Sequence, residues 1–191
     1  MAHVELIERP RGIVPRLAFR YARRRFGRSV EPVAAAAHHS GVLVATGALE
    51  SVAARSWRRL DEGIRWLAVQ AAAAQIGCSW CTDFGYYESV RAGADPRKVR
   101  DVARFRDSDA YTPVERAVLE YTVAATATPA NVGADLVDEL RRHLDEQEIV
   151  ELAAWVALEN LRSRFNAGLG LRSQGFAETC EVPLAGVERG A

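Results

Sequence analysis

Lysine, methionine and cysteine are scarce in this sequence of 191 residues. Lys98 is the only lysine, Met1 is the only methionine, and the cysteines are Cys78, Cys81 and Cys180. Three cysteines cannot form an even set of structural disulfides, which excludes the class of small secreted proteins built on a disulfide framework. We therefore expect a reducing compartment, in which a cysteine pair serves redox chemistry or binds a metal.

The sequence also has no excess of one charge and no long apolar run. The 25 basic residues equal the 25 acidic ones, so no overall field attracts nucleic acid or an anionic membrane. No apolar run approaches the roughly 20 residues of a membrane span. Residues 1–10 carry Glu5, Glu8 and Arg9 where a leader would be basic and then apolar. We expect a cytoplasmic protein that binds neither nucleic acid nor membrane.

Helix start signals recur along the chain. Thr112, Pro113 and Glu115 form a capping box with a proline in the first turn, and Asp145 and Asp95 begin similar signals. Between them the apolar residues recur at helical spacing, and no segment shows the alternation of a strand. The sequence therefore predicts an all-α fold.

We expect three parts in the chain. Residues 1–50 are predicted to be an N-terminal helical extension that contributes to the core or to a subunit interface. Residues 51–176 are predicted to be the main helical domain, and residues 177–191 a C-terminal tail. Within the extension, segment 14–28 mixes apolar residues with arginines. It indicates either a basic surface helix for a membrane or nucleic acid, or a packed or subunit-facing helix, which we favour.

Cys78 and Cys81 form a CxxC motif between an alanine-rich predicted helix and the predicted start of another. At a helix start, the unpaired N–H groups and the helix dipole favour a thiolate, so a thiol-redox pair is the first interpretation. A zinc site needs about four ligands, and the chain has no second CxxC. A thioredoxin-like domain would place the motif after a strand. We expect no metal and no other cofactor.

The run AQIGCSWCTDFGYYESVRAG, within residues 60–93, resembles the carboxymuconolactone decarboxylase and alkylhydroperoxidase AhpD-like superfamily, whose redox members carry Cys-x-x-Cys followed often by Asp and then His. The segment ALENLRSRFNAGLGLRSQGF, residues 157–176, is similar to the end of that family's core domain. The resemblance implies an AhpD-like helical bundle with its CxxC at a helix-helix junction, assembled into homo-oligomers. Redox members of the family reduce hydroperoxides or pass electrons from a partner thiol protein.

By the same resemblance, Cys81 attacks the peroxide, Cys78 resolves the sulfenic acid, and Asp83 is the acidic residue that often follows. The family histidine falls on Gly85 and the family glutamate on Trp66, so both parts of the usual proton relay are absent. A thiol at its ordinary pKa of about 8.5 is only a few per cent ionised at neutral pH. We therefore expect peroxidase turnover to be slow or lost unless another group replaces the relay.

Glu62 and Glu88 are candidate replacements in such a relay. Glu62 lies one helical turn before Trp66, and Glu88 lies seven residues after the second cysteine. The adjacent His38 and His39 are a further candidate, although histidines at a helix end more often serve as caps.

Three aromatic residues are candidates for lining a pocket for a small organic substrate or hydroperoxide: Trp66, Trp80 and Tyr86. Packing in the core or an interface explains them as well. Arg162 and Asn166 could bind an anionic substrate, whereas an ion pair with Glu159 would also account for the arginine.

Three functional hypotheses follow. The first is a thiol-dependent antioxidant protein that reduces hydroperoxides or disulfides through a Cys78–Cys81 dithiol. A thiol reductant protein would then reduce the resulting disulfide back to the dithiol. The second is a non-redox decarboxylase or isomerase that acts on a small cyclic acid. The third is a non-catalytic assembly or binding protein in which the cysteines are packing residues.

Overall fold

The computed structural model describes residues 2–180, which form helices and no strands. The nine α-helices of this range are α1 Ile13–Phe26, α2 Glu31–Ala36, α3 Ser40–Ser56, α4 Glu62–Ile76, α5 Ser79–Arg91, α6 Pro96–Asp101, α7 Pro113–Thr126, α8 Ala134–Arg141 and α9 Glu146–Gly168. Two 3₁₀ helices span Val102–Asp107 and Ala177–Thr179. The all-α prediction is confirmed, whereas residues 181–191 of the predicted tail lie outside the described residues.

The predicted helix starts are confirmed by their hydrogen bonds. The Glu115 N–H donates to Thr112 Oγ1 at 3.4 Å, and the Thr112 N–H donates to the Glu115 carboxylate at 2.7 Å. The Glu148 N–H donates to Asp145 Oδ1 at 2.9 Å, and Asp95 accepts from an N–H in the first turn of α6. Each cap satisfies N–H groups that have no partner within their own helix, which fixes where the helix begins.

The described residues divide into two compact units. The first comprises residues 2–58 and 168–172. Phe19 and Ala22 of α1 are buried in it, and His39 caps α3 by accepting the Val42 N–H at 3.2 Å. The His3 N–H donates to the Leu169 carbonyl at 2.8 Å, so two distant segments of the chain meet inside this unit.

The second unit comprises residues 59–167 and 173–180 and contains both cysteines of the CxxC motif. Helix α4 packs against α5 and α7, and its small alanines allow that close approach. The buried residues of the core cluster are Leu67, Ala71, Tyr86, Val99, Val102, Phe105, Tyr111, Leu119 and Ala177. No helix among the described residues is both long enough and apolar enough to cross a bilayer.

Candidate functional site

The CxxC motif lies at the junction of α4 and α5. Helix α4 ends at Gly77, whose φ of 80° is in the left-handed region that a residue with a side chain rarely adopts. The next residue, Cys78, is the N-cap of α5, and its Sγ accepts the Cys81 N–H at 3.2 Å. The sequence prediction of a CxxC at a helix-helix junction is therefore confirmed.

The two cysteines are bonded to each other as a disulfide, with their Cα atoms 5.3 Å apart. Both are buried, Cys78 with 2% of its surface exposed and Cys81 with 5%. Their sulfurs lie in the first turn of α5, where the helix dipole and free N–H groups stabilise negative charge. The geometry suits a pair that cycles between disulfide and dithiol.

Asn166 brings an uncharged hydrogen-bond donor to the second cysteine. It lies near the end of α9, is buried, and donates from Nδ2 to Cys81 Sγ at 3.3 Å. A donor directed at a sulfur favours its thiolate over its thiol. The sequence singled out Asn166 as an anion binder but did not connect it to Cys81, which is 85 residues away. Arg162 forms an ion pair with Glu159 at 3.2 Å.

Asp83 of α5 binds residues 174–177, the return segment. Its buried carboxylate accepts three backbone N–H groups, from Gln174 at 2.9 Å, Phe176 at 3.1 Å and Ala177 at 2.7 Å. These contacts hold the return segment against the helix that carries the cysteines. The three contacts give Asp83 a structural task beside its predicted place in the site.

The three predicted pocket residues lie in different surroundings. Trp80 stacks on Phe84 with ring centroids 4.7 Å apart, and its Nε1–H donates to Gln174 at 3.0 Å. Tyr86 is fully buried in the core cluster, and burial raises the pKa of its hydroxyl. Trp66 lies on α4, and the Cζ atom of the Arg65 guanidinium is 4.9 Å from the centroid of its ring.

The two candidate relay carboxylates, Glu62 and Glu88, differ in their exposure to solvent. Glu62 is exposed in the first turn of α4 and forms an ion pair with Arg65 at 2.7 Å. The burial of Arg65 lowers the pKa of its guanidinium, although the charge of Glu62 opposes that effect. Glu88 is half-buried on α5. Their predicted role in proton transfer stays a prediction.

Gly85 takes the position that the family histidine would occupy, and Gln70 fills the space beside it. A Cβ atom at residue 85 would collide with Gln70 Nε2. The Gln70 side chain is 1% exposed, and neither of its polar atoms has a hydrogen-bond partner among the described residues. Gln70 was not predicted from the sequence, although a lone amide in the apolar run from Leu67 to Ala74 was a detectable signal.

Cys180 is partly buried and packs against the core cluster. Burial raises the pKa of its thiol, and the negative charge of Asp83 adds to the shift. A raised pKa leaves less thiolate at neutral pH, so Cys180 is a poorer nucleophile than an exposed cysteine.

Known proteins resemble this chain in sequence. The sequence model of the carboxymuconolactone decarboxylase family matches residues 45–124, which include both cysteines of the motif. The uncharacterized protein YnjA of Escherichia coli strain K12 is 33% identical over 124 residues, which are 65% of this chain and 66% of YnjA. The match thus spans about two thirds of the length of that curated relative.

Solved structures share the helical fold. One is a protein of unknown function from Agrobacterium tumefaciens, named as a candidate antioxidant defence protein AhpD. It is 26% identical with a TM-score of 0.65, over 72% of this chain and 94% of that one. Another is a cysteine-to-alanine variant of the debrominase Bmp8 in complex with 2,3,4-tribromopyrrole. It is 22% identical with a TM-score of 0.78, over 92% and 95% of the two chains.

Proposed function

Because the chain belongs to the carboxymuconolactone decarboxylase/AhpD-like superfamily, we propose that it is a thiol-dependent oxidoreductase that reduces hydroperoxides or disulfides with Cys78 and Cys81. The observation that carries the proposal is the hydrogen bond from Asn166 Nδ2 to Cys81 Sγ. It supplies a stabilising donor at the sulfur in a chain that has Gly85 and Trp66 at the relay positions. The N-terminal turn of α5 adds its dipole to the same sulfur.

With a hydroperoxide, the reaction balances without a cofactor. The Cys81 thiolate attacks the terminal oxygen, the O–O bond breaks, and the alkoxide leaves and takes a proton from solvent. Cys81 is then a sulfenic acid. The Cys78 thiolate attacks Cys81 Sγ, the S–O bond breaks, and the hydroxide takes a proton to leave as water. A dithiol reductant protein, in a reducing compartment such as the cytoplasm, then returns the disulfide to two thiols.

Mass spectrometry of trapped thiols tests this reaction. Fully reduced protein is exposed briefly to stoichiometric tert-butyl hydroperoxide, and the remaining thiols are alkylated. We expect Cys78 and Cys81 to be lost together as a disulfide, while Cys180 stays free because burial raises its pKa. Asn166 does not titrate, so the rate should rise with pH through a single ionisation, that of the attacking thiol.

A different result would overturn the proposal. If Cys78 and Cys81 react no faster than glutathione under the same conditions, the protein is not a peroxide reductase. A parallel exposure to an oxidised thioredoxin-type disulfide separates the two substrate classes, since a disulfide reductase would react there and not with the hydroperoxide.

The proposal includes assembly of several copies of the chain. Helix α1 exposes four large apolar side chains: Ile13 by 78%, Val14 by 40%, Leu17 by 60% and Tyr21 by 65%. Apolar surface of this kind is commonly covered by another protein surface.

Light scattering should therefore give a multiple of the 21.0 kDa chain mass. Leu17→Glu should lower that mass, whereas Val150→Glu, on the exposed side of α9, should leave it unchanged. A wild-type mass of one chain would contradict the proposal.

A further inference from the structure

We propose that the side-chain amide of Gln70 is a binding site for the terminal O–O–H group of the hydroperoxide. This inference rests on the proposed function, because it assigns the group that holds the substrate while Cys81 attacks. Gln70 lies on α4, which packs against α5, the helix that begins at the cysteines.

The first argument is the cost of burying this amide. Gln70 is 1% exposed, and both its Nε2 and its Oε1 have no hydrogen-bond partner in residues 2–180. Buried polar groups are nearly always hydrogen-bonded, and each one left unpaired destabilises a fold. An apolar side chain of similar size would fit an alanine-rich helix without that cost. A ligand that pairs with both atoms accounts for the amide.

The second argument is the position of the amide relative to the attacking cysteine. Gln70 Nε2 lies against the Cα atom of Gly85, in the space that a side chain there would need. Gly85 follows Cys81 by four residues, so the two share one face of α5 and are separated by about 6 Å along its axis. The amide is thus about one helical turn from the residue whose sulfur attacks.

Trp66 supplies a third, independent observation. Its Nε1 is buried and also has no hydrogen-bond partner in the described part of the chain. Trp66 precedes Gln70 by one helical turn, so both side chains leave α4 on the same face. Two adjacent turns of α4 therefore carry two donor nitrogens and one acceptor oxygen without partners among the described residues.

The chemistry of the ligand follows from these atoms. A hydroperoxide has an O–H donor on its terminal oxygen and an acceptor on the adjacent oxygen. The Gln70 carbonyl accepts that O–H, and the Gln70 N–H donates to the second oxygen. The second oxygen is the leaving group, so the N–H stabilises the negative charge that develops when the O–O bond breaks.

Gln70→Leu is the direct test, because leucine removes both polar atoms and, unlike methionine, does not react with peroxide. Stopped-flow rates of reduced protein are measured with tert-butyl hydroperoxide and with iodoacetamide, which reports thiolate reactivity without an O–O–H group. We expect the hydroperoxide rate to fall by at least about tenfold and the iodoacetamide rate to change by less than about twofold. The thermal midpoint should not fall, because an unpaired buried group is removed.

Asn166→Ala is the matched comparison. It removes the donor to Cys81 Sγ, so it should slow both reagents together. If Gln70→Leu also slows both reagents equally, Gln70 acts on the thiol or on the fold, and the inference is overturned.

A binding measurement separates the failure of this inference from the failure of the proposed function. In ¹⁵N-labelled Cys81→Ser protein, the side-chain NH₂ signal of Gln70, identified by its loss in Gln70→Leu, should shift saturably with tert-butyl hydroperoxide. Equal shifts with tert-butyl alcohol, or none with either, would overturn the inference. A shift in this variant combined with an unreactive wild type would overturn the proposed function and keep the binding site.

Discussion

Asp83→Ala is expected to lower the free energy of unfolding by about 3–5 kcal/mol, because it leaves three backbone N–H groups, two buried and one partly buried, without their charged acceptor. The groups belong to Gln174, Phe176 and Ala177, and each donates to the Asp83 carboxylate within 3.1 Å. Urea denaturation followed by circular dichroism measures the loss. A reduced slope would show in addition that the return segment detaches before global unfolding.

Two variants control this prediction. Asp83→Asn keeps one acceptor oxygen, so its loss should be smaller than that of Asp83→Ala. Asp109→Ala removes an exposed carboxylate from a loop and should change stability by less than about 0.5 kcal/mol. Asp83→Ala as stable as Asp109→Ala would mean that the three hydrogen bonds do not hold the segment.

Cys81→Ser is expected to lower the rate of hydroperoxide consumption by on the order of a thousandfold or more, because a serine hydroxyl at neutral pH is not an anionic nucleophile. Cys78→Ser should act differently. Cys81 can still form its sulfenic acid once, but the resolving thiol is missing, so turnover stops after a single event. Consumption of tert-butyl hydroperoxide is followed continuously, and dimedone traps the sulfenic acid in Cys78→Ser.

Cys180→Ser is the control, since Cys180 packs against the core cluster and its thiol pKa is raised by burial. Its rate should equal that of the wild type. Stoichiometric sulfenic acid on Cys78 in the Cys81→Ser variant would reverse the two roles. Either sulfur could be the attacking one, because each accepts a hydrogen bond. Cys78 Sγ accepts the Cys81 N–H, and Cys81 Sγ accepts an N–H of the Asn166 side chain.

Local signals in the sequence were sufficient for the helix starts that carry a capping residue, whereas α1, α2 and α8 begin without a side-chain cap. The Thr112 capping box and the cap at Asp145 act over three residues, so the pattern alone determines their hydrogen bonds. The junction at Cys78 was predictable for the same reason, because Gly77 can end one helix and the next residue can begin another.

Contacts between distant segments could not be predicted in this way. Asp83 meets residues more than 90 positions later, and Asn166 meets Cys81 across 85. Nothing in the spacing of either residue type specifies its partner, since both contacts depend on how complete helices pack. Gln70 is intermediate, because an amide among alanines indicates a polar task without naming the partner.

The single lysine of the chain has a practical consequence for measuring assembly. Lys98 Nζ lies 2.8 Å from both oxygens of Glu115, which occupies the ammonium group in an ion pair. Amine-directed cross-linkers and surface-coupling reagents therefore meet one lysine in the whole sequence, already engaged by a carboxylate. If such a reagent produces no cross-linked species, the result reflects the scarcity of reactive lysine and does not give the number of copies in the assembly. Carboxylate- or arginine-directed reagents, for which the chain offers many targets, are the appropriate choice.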